Sequence, residues 1–422
     1  MIVPFVFSMS TFRDAPYLWW FYKGLDFAKR SHSAVIAQEI YCKTSPAEFA
    51  KQGRTEAYDK QKVDTVWQYR LPKNGDLRTE KVYTIPDSVL EPIIREKGSI
   101  TGAAYYLLGH ADPGFCEFLK NLVERIESEC EPIEAFMTLV ENPSLTKVAE
   151  TKGIPVIHIE MGCLRHPNYL NTAFWDLESL NGGLSVEKRW KRFDEECRDG
   201  KISIFSKQEC LAILLQAGKL SVLENYHRLP KKKIGVLLGY TTYELISYTT
   251  QLNDSELLFR LKKKYGLENM LIRKHPGDPY GGQYPLYADA MDKPGRSSAE
   301  FFLDCSTIVS LLSGGAIEAM LLDRKAVTIL PSPAYYPSGH EIEGPGKCPD
   351  EAFLSFFVFC YLIPLEFLAD AEYVRWRLTM PSESDIFRKH VEFYFRKKGL
   401  PLELMEGAPG SRLQKLLKAQ GV

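Results

Sequence analysis

At 422 residues the chain exceeds what one hydrophobic core usually supports, so two domains are expected. Apolar residues make up 45% and charged residues 25%, a globular balance, and 53 basic against 54 acidic residues leave no net field to attract nucleic acid. The nine cysteines are scattered without a C-x-x-C pair, which speaks against a disulfide frame or a zinc site and for reduced thiols in a cytoplasmic protein.

The first residues, MIVPFVFSMSTF, have no basic stretch ahead of their apolar run and read as a buried strand over 2–8 rather than a signal peptide. A helix over 17–31 follows, with Trp19-Trp20-Phe21-Tyr22 read first as core and contact with lipid or an acceptor as the alternatives, and then a strand over 34–40, giving a βαβ start. Residues 46–81 are polar and highly charged and are expected to be helix plus exposed loop. Short apolar segments at 89–96 and 101–107 precede an amphipathic helix over 113–129, whose Phe115, Phe118, Leu119, Leu122, Val123 and Ile126 recur at helical spacing. A strand over 135–140, a helix over 145–152 capped by Ser144, and a buried-type strand over 154–159 come next.

That last strand delivers Glu160-Met161-Gly162-Cys163-Leu164-Arg165 to its carboxyl end. A carboxylate and a guanidinium there, with a glycine between them to let backbone approach, make a catalytic or substrate-holding corner. Glu160 follows a mostly apolar run, so partial desolvation and a raised pKa are expected, which suits proton transfer. The equally weighted alternative is a Glu160–Arg165 ion pair that only ties a loop. Residues 171–183 read as a turn-rich continuation, with Thr172, Asp176 and Asn181 as polar candidates better explained as loop-formers.

Charged helices over 184–198 and 207–217 are expected to cross between domains, and the basic run His227–Lys233 reads as a linker. A strand over 234–238 then opens the second domain and ends in Gly239-Tyr240-Thr241-Thr242-Tyr243-Glu244. After a helix over 255–265, residues 271–330 give a strand ending in Arg273-Lys274-His275-Pro276, a Gly/Pro-rich loop and a short helix near 297–303. A strand over 308–312, the Ser313-Gly314-Gly315 turn, a helix over 316–322 and a strand over 326–330 complete a βαβαβ half-domain. Small residues ahead of a helix expose backbone N–H groups at the positive end of a dipole, and Lys274 and His275 end a neighbouring strand. Both open onto the carboxyl edge, where a nucleotide phosphate would sit. Either half alone is an ordinary strand-to-loop transition.

Residues 331–340 read as a rigid loop able to close over a ligand, and 352–368 as a buried core helix, with a membrane-surface contact as the alternative. The remainder to 422 is expected to be mostly helical. The sequence holds no run of about 18 uncharged apolar residues, so no membrane span is expected. It also lacks G-x-x-x-x-G-K-[ST], H-E-x-x-H and Asp-x-Asp, so neither a P-loop nor a metal-bound sugar nucleotide is suggested.

Taken together, the carboxylate corner and the phosphate seat resemble the twin-Rossmann, or GT-B, glycosyltransferases. More narrowly, Lys274-His275-Pro276 followed by Ser310-Leu311-Leu312-Ser313-Gly314-Gly315-Ala316-Ile317-Glu318-Ala319 resembles the bacterial capsule and O-antigen Kdo transferases, and more distantly the bacterial sialyltransferases. Glu160–Arg165, Phe174-Trp175-Asp176 and Asn181-Gly182 resemble a second motif of the same Kdo enzymes. The resemblance implies an α/β fold of two Rossmann-like domains facing a cleft, an acceptor domain over 1–228, a nucleotide-sugar domain over 229–350, and a helical segment over 351–422 packing back on both. It implies a metal-independent transfer of a 2-keto acidic sugar, with no cofactor beyond a CMP-linked donor, to a glycan or glycolipid acceptor, in the cytoplasm and in peripheral contact with the inner membrane. Lys274, His275, Ser310, Ser313, Gly314 and Gly315 would hold the phosphate, Glu318 the ribose or base, and Arg165 the sugar carboxylate or acceptor. Where the Kdo enzymes tend to carry an acidic nucleophile in the loop after the second domain's first strand, this chain offers only Glu244. A single inverting displacement with Glu160 as base is the other route. A UDP- or GDP-sugar transferase, a GT-B-shaped sugar-nucleotide epimerase and a non-catalytic assembly partner are the alternatives.

Overall fold

The structure is a computed structural model and describes residues 1–8, 15–42, 81–180, 184–239, 252–275 and 284–422. The segment expected at 46–81, apart from Lys81, lies outside the described residues, as do Tyr240–Glu244 and Asn181. The chain forms two compact units, one of residues 1–160, 175–179 and 366–378, the other of 161–174, 180–365 and 379–422.

The first unit is built on parallel strands β1 (Ile2–Val6), β2 (Val35–Gln38), β3 (Val82–Ile85), β4 (Ala135–Thr138) and β5 (Val156–Met161). They lie in the order β3-β2-β1-β4-β5. Alternate residues of β1 serve opposite faces, as a pleated strand requires. Met1, Val3, Phe5 and Phe7 join a core with the helices Asp87–Glu96, Ile100–Gly109, Pro113–Glu129 and Pro143–Lys152. Pro4 and Val6 face Gly24 of the helix Ala15–Ser31. Trp20 is buried there and donates its indole N–H to the Phe5 carbonyl at 3.1 Å.

The second unit carries the parallel strands β7 (Lys232–Leu237), β8 (Met270–Arg273), β9 (Cys305–Ser310) and β10 (Lys325–Thr328), in the order β10-β9-β7-β8. The chain is thus α/β with a parallel Rossmann-like sheet in each unit, the expected fold class.

Several local expectations change. The helix Pro143–Lys152 is capped by Asn142, whose side chain accepts from Leu145 N–H at 2.9 Å, while Ser144 instead accepts from Asp112 N–H at 3.0 Å. The stretch read as turns contains a buried strand, β6 (Thr172–Asp176), because its run Thr-Ala-Phe-Trp is apolar and β-favouring. Residues 352–368 are not one core helix. A helix Glu351–Phe356 widens over Phe357–Tyr361 and ends in β11 (Leu362–Pro364), which pairs antiparallel with Thr172–Phe174. The basic run near 228 is no linker, because Lys231 and Lys232 N–H both donate to the Asp304 carbonyl, at 2.9 and 2.8 Å, which places the run inside the second unit. The chain first passes from one unit to the other after Glu160 and crosses again after residues 174, 179, 365 and 378.

The helices Leu184–Arg198 and Glu383–Lys398 of the second unit are joined through Glu383, 1% exposed. Its carboxylate accepts from Arg189 Nε at 3.0 Å, Arg189 Nη2 at 2.8 Å and Arg192 Nη2 at 3.0 Å. Removing one member of a buried pair leaves the other charge uncompensated, so Glu383→Ala should lower the unfolding free energy by about 3–5 kcal/mol in urea titration. A loss under about 1 kcal/mol would place the pair with ordinary surface bridges.

Candidate functional site

In the second unit β8 flanks β7 on one side and β9 on the other, so the strand order reverses at the β7/β9 carboxyl edge, where open α/β sheets bind ligands. Leu238 N–H donates to the Arg273 carbonyl at 3.0 Å, which brings the end of β8, with Lys274 exposed and His275 half-buried, alongside the end of β7. Ser310, buried at the end of β9, accepts from Ser313 N–H at 3.3 Å, and Ser313 Oγ accepts from Gly315 N–H at 3.2 Å. Two amides expected to face a phosphate are therefore turned onto hydroxyls. Each hydroxyl keeps its own proton to donate. Arg273 is engaged structurally, through Asp292 at 2.6 Å and the Arg296 carbonyl at 2.9 Å.

The Arg165 corner belongs to this same unit. Gly162 N–H donates to the Thr172 carbonyl at 2.8 Å, and Thr172 N–H to the Leu164 carbonyl at 3.0 Å. A Cβ on Gly162 would stand 2.0 Å from Thr172 Oγ1 and 2.6 Å from its carbonyl carbon, so close backbone approach requires glycine here. The folded-back segment reaches the serine turn, since a Cβ on Gly314 would meet Cys163 Cβ at 2.8 Å. Next to it the Tyr169 hydroxyl donates to Glu318 Oε1 at 2.9 Å, Ser298 Oγ donates to the same oxygen at 2.8 Å, and Asn168 Nδ2 donates to Ser298 Oγ at 2.9 Å.

Glu318 is 6% exposed, and burial pushes its carboxyl up to about 7, against the opposing hydrogen bonds from Ser298 and Tyr169 and the charges of Arg273 and Arg165. Burial, with Glu318 nearby, raises the Tyr169 phenol well above its ordinary value and pushes the Cys163 thiol up to about 12, so both stay protonated at neutral pH. Arg165 is a charge neighbour of both Glu318 and Cys163.

Of the residues read from the sequence, Ser310, Ser313, Gly314, Gly315, Glu318 and Arg165 fall in this one neighbourhood. Glu318, expected at a ribose or base, lies buried behind the turn. Glu160 belongs to the first unit and is exposed between buried Ile159 and Met161, which corrects the expected desolvation: neighbours along a strand point to the opposite face and do not cover it. Glu244 lies outside the described residues. Tyr169, Asn168 and Ser298 were missed, since 149 residues separate Tyr169 from Glu318 and no local spacing announces the pair.

Replacing Gly162 with Ala should cost about 1–3 kcal/mol by overpacking, readable in a denaturant titration. The Glu318 carboxyl is raised from an ordinary 4.5 to about 7, so its contribution to stability is present at low pH and is lost as pH rises between those values. Glu318→Gln should remove that slope: the wild type should lose stability relative to the variant from pH 4.5 to pH 7, as measured by denaturant midpoints.

Residues 4–185 match the model described as Glycosyltransferase 99 family N-terminal domain. No curated protein matches the chain. Among solved structures, Thermosulfurimonas dismutans KpsC, beta Kdo 2,7 transferase, is 14% identical, with 62% of this chain and 90% of that chain covered and a TM-score of 0.39. The UDP-GlcNAc 2-epimerase of Methanocaldococcus jannaschii is 12% identical, over 78% of this chain and 84% of that one, with a TM-score of 0.29. MurG of Acinetobacter baumannii is 10% identical, over 100% and 99%, with a TM-score of 0.29. At these scores the likenesses carry no weight for what the chain does. By sequence, residues 4–185 are thus similar to the Glycosyltransferase 99 family N-terminal domain.

Proposed function

We propose that the chain transfers a 2-keto acidic sugar, Kdo or a nonulosonate, from its CMP-activated form to a bacterial surface-glycan acceptor at the inner membrane face. One observation carries this reading: the segment bearing Arg165 is seated on the Ser313–Gly315 turn, at the strand-order reversal of the second unit. A CMP-linked acid sugar presents a phosphodiester and a carboxylate, two anions a few bonds apart. The hydroxyls of Ser310 and Ser313, the Lys274 ammonium and the His275 imidazole serve the first, and the Arg165 guanidinium serves the second in bidentate fashion. These groups meet the donor's charge without calling on a metal. Glu318, engaged by Tyr169 and Ser298, holds the turn and the Arg165 segment together and so acts as a positioning residue.

The acceptor hydroxyl must lose its proton as the glycosidic bond forms, and Glu160, an exposed carboxylate at the end of β5, is the base we assign to that step. In a double displacement Glu244 would be the nucleophile; in a single displacement Glu160 suffices.

CMP should raise the unfolding midpoint while UDP and GDP leave it unchanged; stabilisation by UDP or GDP alone would move the donor to another nucleotide. His275→Ala should abolish the CMP effect. Glu160→Gln should cut transfer by about 10²–10⁴-fold with CMP affinity nearly intact, and normal turnover in that variant would remove Glu160 from the mechanism.

A further inference from the structure

The first unit has its own strand-order reversal, between β1 and β4, and a second group of titratable side chains lies at its carboxyl edge. His158 stands on β5 opposite Thr138 of β4, with the register Thr138↔His158, so both point to the same face. On that face Phe136 and Val156 belong to the apolar core, and one step along the strands the core gives way to polar groups. His158 is 4% exposed, yet its Nδ1 has no hydrogen-bond partner. Two carboxylates act on it electrostatically: Glu141, in the loop that follows β4, and Asp176, 2% exposed at the end of β6. Ser179 Oγ donates to Glu141 Oε1 at 2.7 Å, and Asp176 Oδ1 accepts from Glu178 N–H at 2.8 Å. A buried ring nitrogen without a partner costs free energy unless a ligand meets it.

We propose that Glu141, His158, Asp176 and Ser179 form a subsite for a neutral, hydroxyl-rich sugar ring, which rests on the glycosyl-transfer reading and gives its acceptor a place in the first unit. Two carboxylates accept from adjacent sugar hydroxyls, the His158 Nδ1 takes or gives one further hydrogen bond, and the Ser179 oxygen, its proton donated to Glu141, accepts one. Burial holds the His158 imidazole below its ordinary pKa against the pull of Glu141 and Asp176, so the ring is neutral at pH 7. The carboxylates repel phosphate and acid sugars, which separates this subsite from one built for the donor. Glu160 lies two residues beyond His158 on the same face of β5, roughly 6.6 Å along the strand. That spacing places the proposed base beside a ring held over His158, within reach of a neighbouring hydroxyl.

The test is saturation-transfer NMR on the full chain with methyl glycosides of a neutral hexose, an N-acetylhexosamine and an acidic 2-keto sugar, with CMP binding measured in parallel. The wild type should show transfer to a neutral glycoside and not to the acidic one. Glu141→Gln and Ser179→Ala, both at half-buried positions, should each weaken that binding by about tenfold or more, as loss of a hydrogen bond to a charged group does, with CMP binding unchanged. Variants that bind neutral glycosides like the wild type, no glycoside binding by the wild type, or a preference for the acidic glycoside would each overturn the subsite. Loss of glycoside binding in the variants of a chain that binds no CMP would uphold the subsite and remove the donor reading.

Discussion

A carboxylate cannot be taken out of water without donors, and the burial of Glu318 organises the second unit around that requirement. Its Oε1 draws the Tyr169 hydroxyl and the Ser298 hydroxyl from segments far apart in the chain. The segment 161–174 is thereby fixed against the helix Gly315–Leu321, and Cys163 comes to rest against Gly314. The serine turn and Arg165 acquire their mutual placement from this packing. The carboxyl pushed up to about 7 marks the cost, since desolvation outweighs the two hydrogen bonds and the nearby guanidinium charges.

The two units present chemically different edges. In the second, the Ser310 and Ser313 hydroxyls and the Arg165 guanidinium lie in one neighbourhood, and Lys274 and His275 follow the end of β8, a set suited to anions. In the first, Glu141 and Asp176 flank a neutral imidazole, a set suited to hydroxyl donors. Each edge follows from where the parallel strands end, while the choice of ligand follows from the side chains set there.

Strands, helices and the two-sheet architecture were legible in the sequence because period and turn chemistry are local: β7 to β10 fall within a few residues of their expected places. The Ser313-Gly314-Gly315 turn was legible for the same reason. The close backbone approach expected at the glycine between Glu160 and Arg165 takes the form of Gly162 against Thr172. Other features depend on tertiary packing and left no local trace. Glu160 was expected to be desolvated because apolar residues precede it, yet adjacent residues of β5 serve opposite faces and leave it exposed between buried Ile159 and Met161. Tyr169 carries no local signal in the sequence, because its role comes from a partner 149 residues away. The basic run at 227–233 mimicked a linker by composition, whereas Asp304 ties it into a sheet.

The most direct measurement is a double-mutant cycle on Tyr169→Phe and Glu318→Met, read as unfolding free energies in urea. If the buried hydrogen bond fastens segment 161–174 to the serine turn, the two changes should couple by about 1–3 kcal/mol, the range for a buried hydrogen bond to a charged group between contacting residues. Additive effects, with coupling below about 0.3–0.5 kcal/mol, would contradict the account, because Arg165 and the turn would then owe their placement to something other than Glu318.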